Sequence, residues 1–348
     1  MTGIALVVAF VIAIAAMIVM ISKFKIHPFI SIMLVSLVFG LVAGIPLVNQ
    51  TLEDGTTVSG IASVIGAGFS GTFTSIGIVI ILGALVGSIL EATGGAFKLA
   101  DMVVSLVGKK HPEIAMELMG WIVSIPVFCD SGFVILNPIR KAIVQKTAAS
   151  SVMLTVCLSC GLYVSHVFIP PTPGPIAAAG SLGLENDLLL VMGLGVVCSI
   201  LPLIAGVVFA RFIGKRVKAE DEADASGNVV TYEEIKAQYG QLPGGFITLA
   251  PIVVPIVLMA LGSISSMAKW SGFGADLCTF FGTPMIALAM GVVFGVIQLA
   301  VTANLDKFHD LVQETLKTVG PILFITAAGG VLGKVIASTD MVNFIKEQ

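Results

Sequence analysis

Charge is what this chain has least of. Asp, Glu, Lys and Arg together make up 11% of its 348 residues, while 57% are hydrophobic. A soluble domain carries about 25% charged residues. That class is excluded, and the chain reads as an all-α polytopic membrane protein. A basic excess is also missing. The formal net charge is −3, which argues against nucleic acid as a partner. Met1-Thr2-Gly3 lacks the basic segment that opens a secretory signal, so the apolar run Ile4–Ile21 is expected to remain as a span. Cysteine is sparse. Cys157-Leu158-Ser159-Cys160 stands without a second pair or a nearby histidine cluster. The five cysteines are therefore expected to pack as small hydrophobes, with no metal and no cofactor.

What is present is a series of apolar runs: Ile4–Ile21, Pro28–Val48, Thr74–Ala92, Ser150–Phe168, Leu188–Phe212, Phe246–Ser266, Leu277–Val301 and Val319–Ser338. Each is near the roughly 20 residues that cross a bilayer. The loops between them alternate in sign. Lys23 and Lys25, then Lys98, Lys109 and Lys110, then Arg140, Lys141 and Lys146, then Arg211, Lys215, Arg216 and Lys218 mark one side. Glu53 and Asp54, and Glu185 and Asp187, mark the other. The positive-inside rule puts the N-terminus outside.

Two intervals are not simple crossings. Between Lys110 and Arg140, both expected inside, Ile114–Val127 is followed by Cys129-Asp130-Ser131-Gly132 and a return through Phe133–Pro138. As helix, the first arm rises about 21 Å, too little for the roughly 30 Å hydrocarbon core. A re-entrant hairpin over 114–139 is predicted, with its break at Cys129–Gly132. The next crossing, 150–184, is interrupted by Pro170-Pro171-Thr172-Pro173-Gly174-Pro175. Proline removes a backbone donor and clashes with the preceding turn, so two half-helices are predicted. Bare backbone at membrane depth is tolerated only inside protein or beside water. Polar groups at such breaks point to a transport site.

The polar stretch 214–245 reads as a cytoplasmic linker between a first half, 1–213, and a second, 246–348. Thr231-Tyr232-Glu233-Glu234 in it suits a short capped helix. Gly83-Ala-Leu-Val-Gly87-Ser-Ile-Leu-Glu-Ala-Thr93 resembles Gly329-Gly-Val-Leu-Gly333-Lys-Val-Ile-Ala-Ser-Thr339. By span counting the copies run in opposite directions, an inverted repeat. Both breaks follow Thr93 and have no counterpart after Thr339, so the second repeat is expected to be incomplete in this chain.

Seven residues are candidates for the site. Asp130 is a carboxylate in apolar sequence, placed to carry a proton, to touch substrate or to cap the hairpin tip. Ser131 and Gly132 suit a turn, and Ser131 offers a hydroxyl. His166 supplies an imidazole, a group that in general titrates near physiological pH, though a packed histidine is equally compatible with its setting. Asn137 either caps the return arm or contacts substrate. Thr172 and Gly174 lie in the unwound stretch.

Phe128-Cys-Asp-Ser-Gly-Phe133, Gly94-Gly95 and Ser165-His-Val-Phe-Ile-Pro-Pro-Thr-Pro-Gly-Pro-Ile-Ala177 resemble the gluconate:proton symporter (gluconate permease) family over nearly the whole chain. The resemblance implies a secondary transporter of the ion-transporter superfamily. It implies two hairpins, two broken helices and a homodimer. It also implies proton-coupled uptake of gluconate or a related hydroxy acid across the bacterial cytoplasmic membrane, with the proton as coupling ion. Thr172 stands where many gluconate carriers have histidine, and Asp130-Ser131 where they often have glutamate-valine; both bear on the substrate. Family members also continue past Gln348. Two other readings stand beside this one. One is a transport-inactive fragment of such a permease. The other is an intramembrane hydrolase using Cys129 or Ser131 with His166, although no nucleophile elbow is visible.

Overall fold

The computed structural model describes residues 3–51, 55–96, 98, 111–147, 149–217 and 244–346. They form an all-α polytopic membrane protein. Among the described residues, seven helices are long and apolar enough to cross a bilayer, and Pro28–Val42 is a shorter apolar helix. The only strands among them are Gln50–Thr51 and Thr57–Val58, paired antiparallel. The predicted linker helix at Thr231–Glu234 lies outside the described residues.

The chain packs as two units, Met1–Ile78 with Thr318–Gln348, and Val79–Lys317. The first holds α1 (Ile4–Ser22), α2 (Pro28–Val42) and α3 (Ile61–Thr72). It also takes the later part of α13 (Phe308–Ala337) and α14 (Met341–Lys346). Pro28 opens α2 at a position whose amide has no intrahelical partner, and His27 Nδ1 accepts from the Phe29 amide at 3.3 Å. The core of this unit is Leu6, Phe39, Ile45, Ile61, Val64, Val331, Val335 and Met341. Phe29, Phe69, Phe73 and Phe324 pack ring against ring beside it.

The third apolar run is longer than the sequence pattern predicts. Helix begins at Ile61, passes through a wide π turn at Phe73–Gly77, and continues as α4 (Ile78–Ala92). The stretch 61–73, outside the predicted run Thr74–Ala92, is helical, and Gly68 in it serves close packing: a Cβ there would sit 2.8 Å from the Val331 backbone of α13. The run Leu277–Val301 is likewise two helices, α11 (Phe273–Gly282) and α12 (Pro284–Val301), because Pro284 starts a helix rather than continuing one.

The second unit contains α4 from Val79 onward, α5 (Pro112–Val123), α6 (Cys129–Thr147), α7 (Ser151–Phe168), α8 (Pro173–Ser181) and α9 (Leu188–Arg216). It continues with α10 (Gly245–Met267), α11, α12 and the start of α13. Its principal core joins Met116, Met119 and Val123 of α5 to Leu154, Cys157, Leu158 and Leu162 of α7. Small residues let these helices meet backbone to backbone. A Cβ at Gly120 would lie 2.8 Å from the Leu158 carbonyl, and one at Gly161 would run into the carbonyl of Glu117. Close backbone approach through small residues is how helices associate where lipid removes the hydrophobic drive.

Both copies of the sequence repeat end their long helix in the same manner. The Thr93 hydroxyl donates to the Ile89 carbonyl at 2.8 Å, and the Thr339 hydroxyl to the Ile336 carbonyl at 2.7 Å. Thr93 also accepts from Gln298 Nε2 of α12 at 2.7 Å, in a fully buried pair.

Candidate functional site

The hairpin's arms are α5 and α6. Pro112 occupies the first turn of α5, and the arm ends where Ser124 donates its amide to the Gly120 carbonyl at 3.0 Å. The chain turns over Ser124–Phe128. The buried Ser124 hydroxyl donates to the Val127 carbonyl at 3.1 Å across that turn. Helix resumes with the Gly132 amide donating to the Phe128 carbonyl at 2.8 Å. The break is therefore not at Cys129–Gly132, as the sequence reading has it. Those four residues are the first turn of α6, and Pro126 is what interrupts the helix. An Asp-Ser pair at the start of a helical run is a start signal as much as a break signal. The return arm also runs on to Thr147, past the predicted end at 139.

The backbone of Asp130 and Ser131 thus lies in a helix N-terminal turn, where unpaired amides carry about half a positive charge. Their side chains lie outside the described residues. Gly132 is buried, and a Cβ there would sit 2.6 Å from Leu162 Cδ2 of α7.

The broken crossing is α7 and α8, separated by Ile169–Thr172. Ser150 caps α7, accepting from the Met153 amide at 3.3 Å. Pro173 opens α8, and the Pro170–Pro171 peptide is cis. The Thr172 hydroxyl lies 2.8 Å from the carbonyls of both His166 and Ile169. It takes up acceptors that the break leaves free. Gly174, one residue into α8, is exposed, with open space where a Cβ would be.

Helix α4 holds the two breaks together. On one of its faces, a Cβ at Gly83 would meet Pro171 at 2.8 Å, and a Cβ at Gly87 would strike the carbonyl of Pro126. The two glycines are four residues apart, one helical turn. Ile125 and Pro126 from one break, and Pro170 and Pro171 from the other, line a single apolar cavity of about 30 Å³. His166 and Phe128 complete the junction, with ring centroids 5.9 Å apart.

Not every candidate converges there. Asn137 lies about 12 Å along α6 from its start. It accepts from Arg140 Nε at 2.7 Å, and Arg140 in turn reaches the Ser151 hydroxyl at 2.7 Å. That chain ties the return arm to the start of α7. Two acidic residues that the sequence reading passes over stand out instead. Glu113 pairs with Arg211 of α9 and lies 3.6 Å from His111. Glu117, one turn deeper, is 1% exposed, and among the described residues its carboxylate faces only the weak thiol donor of Cys157. Their signal was legible as two glutamates at i, i+4 in an arm counted as apolar.

A proline-broken crossing and a helical hairpin thus meet on one glycine face of α4. Residues 5–348 match the profile described as GntP family permease. The chain belongs to the GntP permease family. Among its curated relatives, an uncharacterized permease of Haemophilus influenzae is 32% identical over 98% of this chain and 70% of its own length. The inner membrane permease YgbN of Escherichia coli is 30% identical, covering 92% of this chain and 69% of the relative. The high-affinity gluconate transporter of E. coli is 27% identical, covering 93% and 70%. Family membership and the apolar helices make this a multi-pass protein of the bacterial inner membrane, and a transporter by family.

Proposed function

We propose that the protein is a secondary active transporter that takes up gluconate or a related small hydroxy acid together with protons. Its site is built by the two breaks, and it uses no further cofactor. The observation that carries this reading is the meeting of both breaks on the Gly83–Gly87 face of α4. The N-terminal turns of α6 and α8 offer unpaired amides to a substrate carboxylate. The substrate's hydroxyls meet Ser131 and backbone carbonyls near the break, with Gly174 leaving the start of α8 uncovered. The Thr172 hydroxyl, already placed between the carbonyls of His166 and Ile169, shapes the break. Asp130 or His166 carries the proton, because neutralising a carboxylate beside an anion relieves their repulsion.

The relatives named as gluconate transporters support this substrate class, and membership of a permease family supports a permease over a hydrolase. A homodimer in the lipid bilayer is the proposed assembly.

The test is uptake of labelled gluconate and a panel of sugar acids and hydroxy acids into proteoliposomes, with the outside buffered either at the internal pH or one unit below. Saturable uptake that rises with the gradient is expected for one or a few of these acids. Uptake of the same acid at an unchanged rate when the gradient is abolished would remove proton coupling from the proposal.

A further inference from the structure

We infer that Glu117 is a second proton-carrying residue, lying between the site and the cytoplasmic mouth, and that protons leave the site through it. This deepens the transport reading above and rests on it.

The geometry has three parts. First, Glu117 is cut off from solvent and from strong partners. It is 1% exposed, and among the described residues its carboxylate meets only the weak thiol donor of Cys157. Its Oε1 lies where a Cβ of Gly206 on α9 would be, beside Cys160. An unpaired charge is not tolerated in such surroundings; the group is stable there as the neutral acid and ionises when water or a cation reaches it. A carboxyl that changes charge with hydration is what a proton relay requires.

Second, Glu117 stands above a charged mouth. Four residues earlier on the same face of α5, Glu113 pairs with Arg211, and His111 is 3.6 Å from Glu113 with a largely exposed side chain. The ends of α5 and α9 that carry these groups are on the positively charged, cytoplasmic side. A proton released from Glu117 therefore has a hydrated, polar exit about one helical turn away.

Third, polar atoms continue upward from Glu117. Trp121 follows at the next i+4 position of α5. On α7, Cys157, Gly161 and Ser165 share one face at the same spacing, and Gly161 lies against Glu117 and Trp121. Trp121 Nε1 and Ser165 Oγ are both buried without a hydrogen-bond partner among the described residues. Buried polar atoms left in this way are ordinarily satisfied by water. Ser165 adjoins His166, so this row of atoms connects the junction of the two breaks with Glu117, whose carboxylate lies beside Cys160, about 9 Å lower along α7.

The groups around Glu117 leave it available for the role. Cys157 and Cys160 face it from α7, and α9 presents Gly206, with Arg211 engaged by Glu113. From α6, which also packs on α5, Arg140 is directed to Asn137 and Ser151. In the transport step the proton bound at the site passes through water to Glu117. Glu117 in turn loses one to water at the Glu113–Arg211 mouth. No bond other than O–H forms or breaks.

The experiment compares wild type, Glu117→Gln and Glu117→Asp in proteoliposomes. It uses labelled gluconate in two assays: net uptake driven by a pH gradient, and exchange against unlabelled internal gluconate. Exchange returns the carrier with substrate and proton still bound, so it needs no proton release. Glu117→Gln is expected to lose net uptake at least tenfold and to keep exchange within about twofold of wild type. Glu117→Asp is expected to restore net uptake, with its pH profile displaced. Wild-type net uptake in Glu117→Gln would overturn the inference. So would equal loss of uptake and exchange in a folded Glu117→Gln, and so would a pH profile in Glu117→Asp identical to wild type. If Glu117→Gln does not fold, the Glu117→Asp profile decides. A wild-type protein that neither accumulates nor exchanges gluconate overturns the transport reading itself, and this inference with it.

Discussion

Replacing Asp130 with asparagine is expected to abolish accumulation of substrate against its gradient while leaving the protein folded. Asp130 is in the first turn of α6, two residues past the end of the Ser124–Phe128 turn. Asparagine keeps the side chain's size and its ability to satisfy helix-start amides, so the turn persists. What is lost is the titratable group. Coupling one proton to one substrate gives up to about tenfold accumulation for each pH unit of gradient, since one unit corresponds to roughly 1.4 kcal/mol. The acid side must be outside for uptake. In Asp130→Asn the accumulation ratio is expected to fall to about one whatever the imposed gradient, which a filter assay of labelled substrate reads directly. A mutant that still concentrates substrate in proportion to the gradient would move the coupling role to His166.

The second large effect is expected from Gly87. A side chain there would strike the Pro126 carbonyl at the hairpin tip. Neither partner yields easily: one is a helix backbone and the other a turn held by the Ser124–Val127 hydrogen bond. Gly87→Ala would gain up to about 1 kcal/mol of helix propensity and lose roughly 1–3 kcal/mol to overpacking. The net loss is up to about 2 kcal/mol, which can lower protein levels several-fold, so uptake is compared per amount of inserted protein. The tip must move away from α4, however, and a displacement of about 1 Å at a site that positions reacting groups can cost a hundredfold. Uptake is expected to fall by about that factor in Gly87→Ala and further in Gly87→Leu. Gly193→Ala on α9, where a Cβ meets nothing within 4 Å, is expected to transport normally. Normal uptake by Gly87→Leu would mean that contact between α4 and the tip is not needed.

Much of this was written in the sequence at the level of class. Scarce charge and 20-residue apolar runs define a membrane bundle, and Pro170–Pro175 locates the broken crossing between α7 and α8. Where reading failed, a local signal had two meanings. Cys129–Gly132 looked like an interruption because it is polar and contains glycine, yet it begins a helix, and the quieter Pro126 makes the turn. The predicted run Thr74–Ala92 started too late, because the glycine-rich stretch before it is helical too, with Gly68 packed on Val331. Thr172 lies at the break as the sequence places it, and its hydroxyl sits 2.8 Å from two carbonyls there, which no sequence pattern announces. Periodicity does not reveal which acceptors a break leaves open. Glu117 was hidden by averaging, since one carboxyl among Met, Leu and Ile barely lowers the hydropathy of an arm.

The central claim is that the two breaks form one substrate site, and chemical protection tests it most directly. Cys129 opens α6 beside the first break and is partly accessible, and Gly174 lies at the start of α8 beside the second. With Cys157, Cys160, Cys198 and Cys278 replaced by alanine, the measurement is the rate of modification by a small maleimide at Cys129 and, separately, at a cysteine introduced by Gly174→Cys with Cys129 also replaced. Each is followed against increasing gluconate. The account predicts that gluconate slows both reactions with the same half-protecting concentration. Protection at one position with an unchanged rate at the other, in variants that both retain uptake, would contradict it.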